Sequence, residues 1–313
     1  MSKVSVIIPS YNHAPYLKQR IDSVLNQTYQ DFEVMVLEDC SADNSRDIIE
    51  QYRQHPKISA IIYNEINSGG PFPQWKKGIE LSRGDYVWLA ESDDWCEPSL
   101  LETLVKALDE NDNCVLAYVQ THTVNKANII QSTSSHDKLE EYIEGEKYIN
   151  KYLTAGCAIW NSSMLLFRRK YYLNISQEFT TFRMCGDWLF YIEMAQQGDV
   201  FISGKVLNYF RNHDQDVSGK MYSSGKNYIE ELRILKKLKE KSLINLDEFK
   251  FNLLDKYIRF LVFKLEFEKS VVEQIENSFF RDGDKSYKAF LNFRGRVSLL
   301  KIKIRRRLNM ILS

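Results

Sequence analysis

Four consecutive residues, Glu91-Ser92-Asp93-Asp94, hold three carboxylates. Carboxylates this close repel one another when ionised, so one keeps its proton to higher pH unless a cation neutralises the group. Hard oxygen ligands with room for phosphate oxygens suit Mg2+ or Mn2+. The plainer alternative is helix capping, and Asp94 is well placed for that ahead of Pro98. Asp39, within Glu38-Asp39-Cys40-Ser41, could accept hydrogen bonds from a base or a ribose, or simply close a turn. Tyr11 offers a ring that could stack on a base or pack against its neighbours. Asp187 follows Gly186 at the start of a helical pattern, where the helix dipole keeps a carboxylate ionised. Such a carboxylate is either a cap or, facing a cleft, a general base. His213, in Arg211-Asn212-His213, could bind phosphate or metal, or be an ordinary polar surface residue.

The elements around these residues decide between the alternatives. Val4 to Ile8 is a short β-branched run that predicts a buried strand. A helix is expected over about 15–27, a strand over 32–37 and a capped helix over 41–52. A strand over 58–63 leads into the loop Asn64 to Pro73, whose glycines and prolines suit a lid. A helix over 74–81 and a strand over 86–90 come next, and Pro98 opens a helix to about residue 111. Strand and helix in alternation predict an open α/β sheet. Ligands of such sheets collect beyond the carboxyl ends of the strands. Those ends carry Ser10-Tyr11-Asn12, Glu38-Asp39 and Glu91 to Asp94, three polar turns at one edge.

The second half predicts a strand over 115–124, a polar excursion over 133–146 and an apolar segment over 159–167. A helix over 186–197 and a strand over 206–210 follow, and from about Tyr228 the pattern is helical. We therefore expect a catalytic domain over 1–220 and a helical extension over 221–313. Residues 292–313 hold seven Lys/Arg and no Asp/Glu, in the stretch KIKIRRRL and its approach. A basic amphipathic helix there could lie on an anionic membrane surface, or pack or stay solvated.

Bulk composition narrows the class. With 313 residues, 44% hydrophobic and 27% charged, the chain can fold around a sizeable core. Its 42 basic residues match 42 acidic ones, which argues against nucleic acid as a partner. The five cysteines are scattered, with no CxxC pair, a usage that fits a reducing compartment. The N-terminus shows no signal-peptide pattern, and no apolar run approaches the ~20 residues that span a bilayer. These features lead us to expect a cytoplasmic protein, peripheral to the inner face of the membrane if the basic tail binds lipid.

Several segments together resemble the family 2 glycosyltransferases of the GT-A fold, of the bacterial surface-polysaccharide type. They are VSVIIPSYNHAPYLKQRIDSVLNQTYQDFEVMVLEDCSADNS, NSGGPFPQWKKGIELSRGDYVWLAESDDW, CGDWLFYIEMAQQG and NYFRNH. The likeness runs over about residues 3–218. It implies an open mixed sheet flanked by helices, and sugar transfer with inversion from a nucleoside diphosphate to a hydroxyl of a saccharide or lipid-linked acceptor. It maps nucleotide binding to Pro9, Tyr11 and Asn12, the base contact to Asp39, and the DxD motif to Glu91, Ser92 and Asp93. Asp93 would then reach the Mg2+ or Mn2+ ion or the diphosphate, with Asp94 as a neighbour that could assist. It maps the catalytic base to Asp187 and a place near the donor diphosphate to His213. Trp188 becomes either an acceptor wall or a core residue.

Two positions depart from the family pattern. Glu91 is one methylene longer than the usual first Asp, and Gly186 stands where many relatives carry Glu. These departures keep open a catalytically impaired nucleotide-sugar-binding or scaffold protein of the same fold. A sugar nucleotidyltransferase would want a Gly-rich basic loop where this chain has Ser10-Tyr11-Asn12-His13-Ala14. A Rossmann dehydrogenase would want GxGxxG after the first strand. A uridine diphosphate donor is the family-weighted expectation, while the sugar, the acceptor, the linkage and the oligomeric state stay open.

Overall fold

All seven residues of β1 (Val4–Ser10) are buried in the computed structural model, because the strand has a neighbour on either side and layers above and below. A parallel strand in that position must be apolar throughout rather than alternating. The structure describes residues 2–213, 217–280, 288–297 and 299–300. The chain falls into two compact units, Met1–His213 and Asp214–Ser313, dividing slightly ahead of the boundary expected at residue 220.

The first unit continues through α1 (Ala14–Leu25), β2 (Phe32–Glu38), α2 (Ser45–Glu50), β3 (Ile58–Tyr63), α3 (Pro71–Leu81) and β4 (Tyr86–Leu89). Then come β5 (Trp95–Cys96), α4 (Leu100–Glu110), β6 (Cys114–Val124), β7 (Ile130–Thr133), β8 (Glu140–Ile143) and α5 (Gly145–Tyr148). β9 (Leu165–Arg168), α6 (Gly186–Ala195) and β10 (Asp199–Arg211) complete it. The sheet order is β3-β2-β1-β4-β9-β6-β10-β5, with β7 on β6 and β8 on β10. β3, β2, β1 and β4 run parallel, whereas β9 is antiparallel to both β4 and β6. This is the open mixed sheet, flanked by helices, that the sequence predicts.

Several boundaries moved for identifiable reasons. α3 begins at Pro71 rather than residue 74, because prolines in a first turn lack only N–H groups that the helix does not use. α2 begins at Ser45 rather than residue 41, because Asp43 is spent on a turn. Its carboxylate accepts from the Ala14 and Ser45 backbone N–H groups at 2.9 and 3.0 Å. β10 is longer than expected at both ends, and Ser203-Gly204-Lys205 falls where its pairing with β6 shifts register. β8 lies inside the expected polar excursion. Among the described residues it pairs with β10 alone, and an edge strand can be polar.

The second unit contains α7 (Val217–Ser224), α8 (Asn227–Glu240), α9 (Leu246–Phe263) and α10 (Lys269–Phe280). α9 opens on a capping box. The Asn245 side chain accepts from the Asp247 and Glu248 N–H groups, and Glu248 accepts from Asn245 N. In its core Tyr257 meets Phe279 edge to face, and Phe260 packs against both rings at a tilt. Among the described residues no helix is long and apolar enough to cross a membrane. The basic stretch KIKIRRRL lies outside the described residues.

Candidate active site

The strand order reverses at β1. Its helical connection leads to β2 on one side, while β4 pairs on the other, so a crevice opens beyond the carboxyl ends of β1 and β4. Two of the turns there are held in left-handed backbone by residues other than glycine, Asn12 at φ 54° and Cys40 at φ 63°. Asn12 ties the turns together: its N–H donates to Ser41 Oγ at 2.9 Å, and its Oδ1 accepts from Ala42 N at 2.8 Å. Such conformations cost of order 1–3 kcal/mol each and gather at functional sites. Pro9 is buried inside β1, whereas Tyr11 just beyond it is 46% exposed.

Three side chains from three strand ends converge in this crevice. Asp93 follows β4, His13 follows β1 and His213 follows β10. His213 Nε2 lies 3.0 Å from Asp93 Oδ2, and His13 Nε2 lies 3.9 Å from the same oxygen. The two imidazoles meet edge to face with centroids 5.3 Å apart. Burial pushes the Asp93 carboxyl up, but His13 and the hydrogen bond from His213 outweigh it and hold the group below the usual carboxylate range. One ligand atom from each residue lies within 4.8 Å of the other two. Ligands about 2.0–2.2 Å from a shared divalent ion stand roughly 3–4.4 Å apart, so a small side-chain rotation suffices and the donor set fits such an ion.

Asp94 takes the opposite direction. It is 1% exposed, and its carboxylate accepts from Ser163 Oγ at 2.7 Å, from Arg211 N at 2.9 Å and from Asn161 Nδ2. The fully buried Arg20 guanidinium stands 3.8 Å away and donates through Nε to Glu91 O at 2.7 Å. Arg211 lies between the rings of Tyr16 and Trp95 and donates to Asp93 O at 2.9 Å. The sequence left Asp94 as an assisting residue at the cleft. The structure corrects this, because Asp94 locks the acidic turn onto β10 from inside.

Glu91 accepts from Trp75 Nε1 at 2.7 Å and from Ser162 Oγ at 3.1 Å. Burial, helped by the charge of Asp93, lifts its carboxyl from 4.5 to about 7 against the pull of these donors and Arg20. A raised carboxyl stabilises the fold while protonated. That stabilisation is complete below about 4.5 and drains away as pH climbs to about 7, by roughly 3 kcal/mol in all. Urea unfolding in chelator between pH 4.5 and 8 should show this fall, and Glu91→Gln should flatten it. Burial and Asp93 also raise Asp94, so part of the slope persists in the variant. An unchanged slope would reassign the titration.

Asp39 is 3% exposed and organises the loop that the sequence offered as a lid. Its carboxylate accepts from Asn64 Nδ2 at 2.6 Å, Asn67 Nδ2 at 3.0 Å, Ser68 N at 2.9 Å, Ser68 Oγ at 2.8 Å and Gln74 Nε2 at 2.8 Å. The loop is therefore anchored rather than free. A nucleobase reaching this carboxylate would have to displace one of these donors.

Asp187 is the one residue of α6 that is not buried, in a helix otherwise wrapped by the core. It sits in the first turn, and its Oδ1 accepts from Trp188 N at 2.7 Å. Trp188 is 4% exposed and donates from Nε1 to Leu153 O at 2.9 Å, so it is a core residue and not an acceptor wall. One turn on, burial raises the Tyr191 hydroxyl well above its ordinary range, with added repulsion from Asp187, Cys157 and Glu91. Both Asp187 and Glu91 therefore lie in the neighbourhood of that hydroxyl.

Residues 5–175 match the family described as Glycosyl transferase family 2, more than half of the chain. This chain belongs to that family. It is similar to Glycosyltransferase GlyG of Streptococcus pneumoniae, 27% identical over 164 residues that make up 52% of this chain and 54% of that protein. It is also similar to the poly(ribitol-phosphate) beta-N-acetylglucosaminyltransferase TarS of Staphylococcus aureus, 27% identical over 227 residues, 66% of this chain and 38% of that one. The chain thus spans about half the length, or less, of these curated relatives. Among solved structures it is similar to S. aureus TarS 1-349 in complex with UDP-GlcNAc. The TM-score is 0.70 at 19% identity, covering 98% of this chain and 92% of that one, which shows a shared fold.

Within family 2, the glycine at 186 has a local cause. A Cβ there would stand 2.4 Å from Phe179 O and 2.7 Å from the Phe72 ring, so any larger residue would have to move backbone. The departure reflects how α6 packs. Of the residues expected to act, Tyr11, Ser92, Asp93 and His213 gather around the crevice, while Asp94 and Trp188 turn into the core. His13, Arg20 and Arg211 were missed. For His13 the signal was present, an imidazole directly after the first of the three polar turns.

Proposed function

We propose that this protein is an inverting, metal-dependent glycosyltransferase. It moves a sugar from a nucleoside diphosphate donor, UDP-sugar first, to a hydroxyl of a saccharide or lipid-linked acceptor in surface glycan synthesis. The observation that carries the reading is the Asp93–His213 contact at 3.0 Å, at the strand ends of a family 2 domain. The named activities of GlyG and TarS and the UDP-GlcNAc bound to TarS support the donor class.

Asp93 and His213 would hold Mg2+ or Mn2+ at the donor diphosphate. When bound, such an ion supplies positive charge against the charge that builds on the departing diphosphate. Tyr11, exposed beside the crevice, offers its ring to the base. Pro9 and Asn12 fix the turn on which Tyr11 sits. Asp187 accepts the proton of the acceptor hydroxyl as that oxygen attacks the anomeric carbon from the face opposite the diphosphate, which inverts the centre.

The test is turnover. Purified protein, Mn2+ or Mg2+ and a panel of nucleotide sugars with candidate acceptors should release nucleoside diphosphate only when donor, acceptor and metal are all present. Donor binding without release for any acceptor would favour the binding-protein alternative.

A further inference from the structure

We propose that His13 is a third protein ligand for the divalent ion. The resulting two-imidazole, one-carboxylate set takes up Mn2+ before any nucleotide arrives and prefers it to Mg2+. The inference deepens the transferase reading and rests on it for purpose, though not for geometry.

Position comes first. His13 caps the start of α1 directly beyond β1, which brings its ring to the mouth of the crevice with its side chain 20% exposed. Its Nδ1 lies 2.8 Å from Ser92 Oγ, and Ser92 is itself 1% exposed. Metal-bound histidines almost always donate their second ring N–H to a fixed acceptor, which sets the tautomer and the ring angle. With Ser92 Oγ accepting from Nδ1–H, the Nε2 lone pair is left for an ion. Nε2 stands on the same side as Asp93 Oδ2, at 3.9 Å, too far for a hydrogen bond.

Donor chemistry comes next. A lone carboxylate binds a divalent ion weakly, and Mg2+ then enters with its phosphates and several waters. Two imidazole nitrogens alter that balance, because nitrogen donors favour first-row transition metals over Mg2+. Three protein ligands also leave coordination positions for diphosphate oxygens, so prior binding does not block the donor.

The experiment uses the full chain without an affinity tag. Mn2+ alone is titrated, with no nucleotide, and the free ion is followed by its electron paramagnetic resonance signal. Wild type should bind one Mn2+, and a hundredfold excess of Mg2+ should displace less than half. Losing a group that only supports a ligand costs about 10–100-fold in affinity, so Ser92→Ala should weaken binding about tenfold and His13→Ala about a hundredfold. Melting temperatures in chelator should match wild type for both variants, which excludes misfolding. Equal Mn2+ affinity in wild type and His13→Ala, no nucleotide-free binding at all, or full displacement by Mg2+ would each overturn the inference while leaving the transferase reading intact. Tight Mn2+ binding together with no sugar transfer would instead sink that reading and leave the ligand set standing.

Discussion

Asp187→Asn is expected to lower kcat by about 10²–10⁴-fold while donor affinity changes little, because a positioned general base contributes on that scale. Asparagine preserves the shape, and its Oδ1 can still accept from Trp188 N, so α6 should form as before. What disappears is a group that can take a proton, together with a helix-terminal charge worth about 0.3–1 kcal/mol. Steady-state kinetics with a saturating donor, beside nucleotide-sugar titration of the variant, separates the two effects. A loss in kcat without a matching rise in donor KM marks an interaction made only in the transition state. Normal transfer by the variant would remove Asp187 as the base. The structure adds a reason to choose this residue. In a helix whose other nine positions are all buried, Asp187 is the one carboxylate that keeps partial access to solvent.

How much was legible in the sequence divides along physical lines. β1, β2 and β4 are inner parallel strands, and short apolar runs announce them; β3 lies at the sheet edge, half-buried, yet its run ISAIIY is apolar enough to be read. β7 and β8 are short, polar and, among the described residues, paired on one side, so hydrophobic pattern says nothing about them. β10 was half seen because its apolar run breaks where its register with β6 shifts. The crevice could be placed from the three polar turns alone. The division of labour inside it could not, since that depends on contacts 79 residues apart between His13 and Ser92 and 120 apart between Asp93 and His213. Asp39 shows a similar limit. Its place after β2 was readable, but its role as anchor of residues 64–74 came from donors on and beside a loop read as a lid.

Asp93 and Asp94 are neighbours of the same chemical type, and their substitution should produce opposite phenotypes. Asp94→Ala strips a shared buried acceptor from Ser163, Asn161 and Arg211 N. Leaving buried donors without an acceptor costs about 1–3 kcal/mol each, so about 3–5 kcal/mol in all after partial relaxation. In a unit of this size that corresponds to a fall in Tm of about 10 °C. Asp93→Asn should stay within about 1 kcal/mol of wild type in chelator. Its side chain is 13% exposed, asparagine can still bond to His213, and removing its charge relieves Glu91 and Asp94. The same Asp93 variant should lose metal-dependent donor binding. Differential scanning calorimetry in chelator and donor titration with Mn2+ make the comparison. If Asp94→Ala melted with wild type yet failed in transfer, Asp94 would move back into the cleft chemistry. If Asp93→Asn bound donor and metal normally, the ion would have to sit elsewhere. The acidic turn thus uses one carboxylate to fix its shape and presents the next one to the crevice, and the difference between them lies in which side of a single turn each faces.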